Sequence, residues 1–171
     1  MSKLRGQDIL LVAQLLNHPA PWSYQSLGES IGISASQCHA AFQRLADAKV
    51  VDRGRRTPIR SNLLEFLRHG VKYMFPVTPG REAVGVPTAH SAPIWKNRLV
   101  TPSGKGFVWE HHEGPAHGST IKPLYKTVPS VALRYPDTYS ILGVVDSIRL
   151  GRAREIREAE QMLEGLVYGR G

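Results

Sequence analysis

The chain has 171 residues, enough for one well-filled core, or for one small domain and an appendage. With 22 Lys and Arg against 14 Asp and Glu, its formal charge is +8, a balance that favours polyanionic partners: nucleic acid first, an anionic membrane surface second. The single cysteine, Cys38, excludes an internal disulfide framework. No apolar run approaches the length of a bilayer span and no signal-like segment opens the chain, so a soluble, cytoplasmic protein is expected, with no membrane partner.

Leu4–His18 carries Leu4, Ile9, Leu11, Val12, Leu15 and Leu16, a stripe broad enough for a helix packed against two partners. His18-Pro19-Ala20-Pro21 stops it, since proline cannot continue a helix. Trp22 should staple the start of the next helix.

Ser23–Val51 reads as two helices joined by a tight turn. Ser23 is a good N-cap, Leu27 and Ile31 share one face, and Gly32 supplies the turn. Ser34 caps the second helix, with Gln37 at the capping-box position. Cys38, Ala41, Phe42 and Leu45 form its buried stripe, which makes Cys38 a small hydrophobe rather than a reactive thiol. The opposite face carries Ser34, Ser36, Gln37, His39, Ala40, Gln43 and Arg44, short or polar groups without aliphatic bulk. A helix entering the major groove needs such a face: small residues permit close approach, while amides, hydroxyls and a guanidinium reach base edges.

The run Ser34-Ala-Ser-Gln-Cys-His-Ala-Ala-Phe-Gln-Arg-Leu-Ala-Asp-Ala-Lys-Val-Val resembles the recognition helix and first wing strand of bacterial winged-helix regulators of the MarR-like kind. Those proteins tend to show Ser-x-Ser-x-apolar, then apolar-x-x-Leu, then an Ala-Gly-apolar exit. Lys49 stands here at the place of the exit glycine. The resemblance covers the first third of the chain. It implies a sequence-specific duplex-binding transcription regulator, a repressor by preference, acting as a homodimer. Gln37 and His39 would read bases, Ser34 and Ser36 bases or nearby phosphates, and Gln43 and Arg44 the backbone.

Val50–Arg60 follows as a short strand, a turn at Gly54 and a returning strand, bearing Arg53, Arg55, Arg56 and Arg60 against Asp52. In a winged helix this hairpin is the wing, and its cations would contact phosphates. Ser61 is expected to cap a helix over 62–68 that Gly70 ends, and Val71–Phe75 alternates like a strand closed by Pro76. Residues 76–136 hold nine of the 12 prolines and six glycines, a density that argues against helices. A hairpin of Leu99–Thr101 with Phe107–Glu110 is expected there. Asp137 or Thr138 should cap a buried helix containing Tyr139, Ile141, Leu142, Val144, Val145, Ile148 and Leu150, broken by Gly151. Beyond it, Ile156, Ala159, Leu163 and Leu166 form a narrow apolar line on a charged helix, read as a dimer seam in preference to intramolecular docking.

The fold expected is therefore α+β: a winged helix-turn-helix domain over residues 1–75, a Pro/Gly-rich extended segment with a hairpin over 76–136, and a C-terminal helical segment over 137–171. Rival functions are a protein-interaction adaptor or antitoxin that binds an acidic partner, and an enzyme using Glu110-His111-His112-Glu113 with His117. Neighbouring histidines on a strand face opposite ways, and Gly114, Pro115 and Gly118 mark a solvated turn, so no metal or other cofactor is expected. Ser103-Gly104-Lys105-Gly106 lacks the glycine and hydroxyl residue of a phosphate loop, and His90 is read as a solvated or hydrogen-bonded ring.

Overall fold

The computed structural model describes residues 3–96, 98 and 106–169. It is a mixed α+β chain. Three helices come first: α1 (Gly6–Leu15), α2 (Tyr24–Ile31) and α3 (Ala35–Asp47). A hairpin of β1 (Val51–Asp52) and β2 (Thr57–Pro58) follows, then α4 (Arg60–His69) and α5 (Val71–Met74). Next are β3 (Glu82–Thr88), β4 (Gly106–Glu110) and β5 (Ala116–Thr120), with 3-10 turns at Ala89–Ser91 and Pro93–Trp95 after β3. The chain ends in α6 (Val128–Arg134), α7 (Pro136–Leu150) and α8 (Ala153–Tyr168). Among the described residues no helix is long and apolar enough to cross a membrane.

Local chemistry explains the helix boundaries. Ser23 and Ser34 each accept the backbone N–H three residues on, at 3.0 and 3.1 Å. Gln37 completes the second box by accepting the Ser34 N–H at 3.0 Å. Gly32 ends α2 at φ +77°, a conformation open to glycine at little cost. Cys38, Ala41, Phe42 and Leu45 are fully buried on the inner face of α3.

Strands β3, β4 and β5 close on themselves, β3 antiparallel to both others and β4 parallel to β5. Residue Gly85 pairs with Glu110 at the end of β4 and with Ala116 at the start of β5. The turn 111–115 therefore crosses from one edge of β3 to the other over Gly85. Glycine is required there: a Cβ on Gly85 would lie 2.0 Å from the Trp109 carbonyl oxygen, and one on Gly114 would lie 2.0 Å from the Gly85 carbonyl carbon.

One apolar cluster joins Leu11, Phe42 and Leu67 to Trp109, Val145 and Leu163, so the core runs through residues on both sides of positions 75 and 136. Helix α7 lies at its centre, buried from Ile141 to Arg149. Its Asp146, 1% exposed, accepts from Thr88 Oγ1, Trp109 Nε1 and an Arg149 guanidinium nitrogen, each at 2.7 Å. Arg149 also donates to the carbonyls of Phe75 and Lys122. A buried charge is tolerated only with such full partnering, and this network ties the small barrel to the helices.

Several expectations are corrected. The expected strand Val71–Phe75 is instead the helix Val71–Met74 followed by Phe75 as its cap, because Gly70 stays in the right-handed region (φ −100°, ψ −41°) and lets the chain re-enter a helix. The Pro-rich segment is not extended throughout; it forms the closed strands and then α6, whose Pro129 sits in the first turn where its missing N–H costs nothing. Strand β4 pairs with β3 and β5. The expected partner arm Leu99–Thr101 and the Ser103–Lys105 loop lie outside the described residues. Helix α4 starts at Arg60 with Ile59 before it, not at a Ser61 cap, and α7 starts at Pro136 with no side-chain cap. The apolar line of α8 is taken up inside the chain. Ala159 and Leu163 are fully buried where α8 packs on α4 and α7, and Ile156 and Leu166 are half-buried. Ala159 and Leu163 therefore pack within the chain, while Ile156 and Leu166 keep part of their surface exposed.

Candidate nucleic-acid interface

The outer face of α3 is where the described residues gather small and polar side chains beside cations. Ser34, Ser36, Gln37, His39 and Ala40 are exposed, and Gln43 is half-exposed. Helical spacing divides this face into two edges. His39 and Gln43, one turn apart, form one edge. Gln37 and Ala40 form the other.

The first edge is wired to the hairpin. Gln43 Oε1 accepts from Arg53 Nε at 3.0 Å, and Arg53 also pairs with Asp47 at 2.7 Å. With its oxygen so fixed, Gln43 presents Nε2, which can only donate, to His39 Nε2 at 3.4 Å. That histidine nitrogen is therefore the unprotonated one, and the proton of the neutral ring sits on Nδ1. Tyr24 meets the His39 ring edge-on at 4.8 Å. Arg56 lies over Trp22 at 4.0 Å and Tyr24 at 5.0 Å, stacked as a cation on aromatic faces. Trp22 also packs on Phe42, so the staple, α3 and the hairpin tip form one aromatic junction. At the tip, Asp52 accepts the Arg55 and Arg56 N–H groups, each at 2.8 Å, leaving the Arg55 side chain exposed.

Two expected contacts are committed elsewhere. Arg44 is 8% exposed and forms a bidentate pair with the fully buried Asp8 of α1, at 2.7 and 2.9 Å. The hydrogen bond to Asp8 raises its pKa further. Arg44 thus joins α1 to α3. Arg60, an exposed residue, donates to the Val167 carbonyl at the end of α8 and so satisfies a helix C-terminus. The capping box also narrows the chemistry of Gln37: one lone pair of its oxygen is engaged by the Ser34 N–H, which orients the amide and leaves its NH2 free to donate. Cys38 is fully buried, and burial pushes its thiol up to about 11, which leaves it unreactive at neutral pH.

The histidine loop is arranged differently. His111 and His112 stack at 4.7 Å, His111 bonds Ser130 at 3.2 Å and accepts the Glu113 N–H at 3.2 Å. Among the described residues no three His, Cys, Asp or Glu side chains gather as a metal site would require. His90 is half-buried, edge-on to Phe107 at 4.8 Å, and burial lowers its pKa.

Asp8 and Tyr24 shape the interface, and neither is among the residues the sequence singles out. Asp8 lies 36 positions from Arg44, beyond any local pattern. Tyr24 carries only a weak sequence signal, an aromatic beside the staple Trp22. Comparison with protein-family models, with curated proteins and with solved structures gave no match.

Proposed function

We propose that the chain is a winged-helix regulator that binds double-stranded DNA, with α3 in the major groove and the β1–β2 hairpin as its wing. One observation carries the reading. The exposed face of α3, free of aliphatic bulk, is joined through His39, Gln43 and Arg53 to a hairpin bearing exposed cations. Such a face can approach base edges, and such cations neutralise phosphates. The formal charge of +8 supports a polyanionic partner. On this reading the Gln37 amide donates to acceptors such as guanine O6 or N7, the His39 Nδ1–H is a second donor, and Arg53 and Arg55 hold the backbone. Arg56 contributes charge from its stacked position. Occupying a promoter would repress it.

The test is selection of bound duplexes from a random pool, followed by titration across salt. A recovered consensus and a linear fall of log K with log salt are expected. The Arg53→Ala, Arg55→Ala double variant should weaken every duplex alike and flatten the salt slope by up to about two. Weak, sequence-blind binding by the wild type would overturn the reading in favour of an adaptor for acidic proteins.

A further inference from the structure

Opposite the wing, the second edge of α3 borders an open cleft of about 360 Å³. Its walls include Gln37 and Ala40 of α3, Arg5 and Gln7 at the start of α1, and Tyr125 from the segment after β5. That segment, 122–127, is fastened to α1 and α2. Its Leu124 carbonyl lies so close to Gly6 that a Cβ there would be 1.8 Å from the oxygen. Thr127 Oγ1 donates to the Ile31 carbonyl at 2.7 Å, and Arg134 of α6 donates to the Ser30 carbonyl at 3.1 Å. These bonds satisfy the C-terminal carbonyls of α2 and fix the strap beside the turn that presents α3. Lys126 is exposed and sits 5.9 Å from the Tyr125 ring. Arg5 is exposed on the other wall. Asp8, the acid nearest this cleft in α1, is already paired with Arg44.

We infer that Arg5 and Lys126, with Tyr125 between cleft and lysine, form a second phosphate-binding flank, so that the recognition helix is gripped on both sides. The inference rests on the DNA-binding reading. A helix in the major groove has a sugar-phosphate strand on either side of it. The wing meets the strand beside His39 and Gln43. The cleft lies beside Gln37 and Ala40, where the second strand would run. Arg5 lies on the cleft wall with Arg44 and a donor, Gln37, and Lys126 stands exposed next to the lining residue Tyr125, so the two exposed cations flank a concave surface rather than a flat one.

The experiment uses the full chain and the duplex selected for it. Arg5→Ala, Lys126→Ala should lower affinity about tenfold to a hundredfold near ~0.1 M salt and reduce the salt slope by up to about two. Hydroxyl-radical footprinting should lose protection on one strand of the site, while the wing variant Arg53→Ala, Arg55→Ala loses it on the other. Lys126→Glu, at an exposed position that the fold does not need, should weaken binding further with an unaltered melting curve. If the wild type binds duplex but Arg5→Ala, Lys126→Ala leaves slope and footprint unchanged, the second flank is wrong and the DNA-binding reading stands. If the wild type binds no duplex, both fall.

Discussion

At the scale of single residues, two side chains show how the α3 scaffold is held. Arg44 reaches back under its own helix to Asp8, and both charges are almost out of solvent. Such a pair adds little net stability, since desolvation offsets its attraction, but it fixes where α1 sits relative to α3. Lys49 is the second. It leaves α3 at φ +60°, the left-handed region where glycine is unstrained and other residues cost about 1–2 kcal/mol. The backbone there takes a form that glycine would adopt without strain. Its carbonyl accepts from Asn62 at 2.9 Å, so α4 holds the exit in place. Lys49→Gly should relieve that strain but gain unfolded-chain entropy worth about 0.5–1 kcal/mol. A net stabilisation of roughly 0.5–1 kcal/mol is expected, read as a higher urea midpoint at unchanged slope. A lower midpoint would mean that the lysine side chain itself supports the exit.

At the scale of elements, the closed three-stranded unit depends on glycines more than on apolar side chains. The turn 111–115 crosses β3 in direct contact, and Gly118 brings β5 against β4 so tightly that a Cβ would lie 2.3 Å from the Gly106 oxygen. Gly85→Ala should therefore push the Trp109 carbonyl aside and cost about 3 kcal/mol. Gly54→Ala, in the hairpin turn, is the control: its nearest neighbour would be the Asp52 carboxylate at 3.5 Å, an ordinary contact. Equal melting curves for the two variants would show that the barrel tolerates opening at the crossing. Local chemistry made some elements readable in advance. Ser23, Ser34 and Gln37 announce their caps, Gly32 its turn, and the spacing of Cys38, Ala41, Phe42 and Leu45 the buried side of α3. The crossing at Gly85 was not readable, since proline and glycine density signals a break in helix and strand without naming the contact that needs it. Helix α6 was missed for the same reason, and α5 because Gly70 can continue a helix as well as end one. Within the candidate site, the exposed face of α3 was legible from periodicity. The engagement of Arg44 and Arg60 was not, because their partners Asp8 and Val167 lie 36 and 107 positions away.

For the molecule as a whole, α8 decides whether the C-terminal segment belongs to the core or to a partner. A narrow apolar line on a charged helix suits either role, and sequence spacing cannot separate them. In the folded chain Ala159, Leu163 and Val167 are fully buried, four residues apart each time, against α4 and α7. Arg68 of α4 strengthens the docking by donating to the Glu160 carbonyl at 2.8 and 3.1 Å and pairing with Glu164 at 3.1 Å. Arg60 closes the far end through the Val167 carbonyl. Leu163→Glu would then place an unpaired carboxylate inside a single chain, at a cost of about 3–5 kcal/mol. Domains of this size are stable by only about 5–15 kcal/mol, so loss of most of the folded population or a sharply lower melting temperature is expected. Leu166→Glu, at a half-buried position, should be much milder. Sedimentation and circular dichroism on both variants separate the alternatives. A dimeric wild type whose Leu163→Glu form is monomeric yet fully folded would mean that the line faces a second copy and that the α8 packing is wrong. An unfolded Leu163→Glu beside a folded Leu166→Glu would leave α8 as part of the body that carries α3, so that any dimer must be built on another surface.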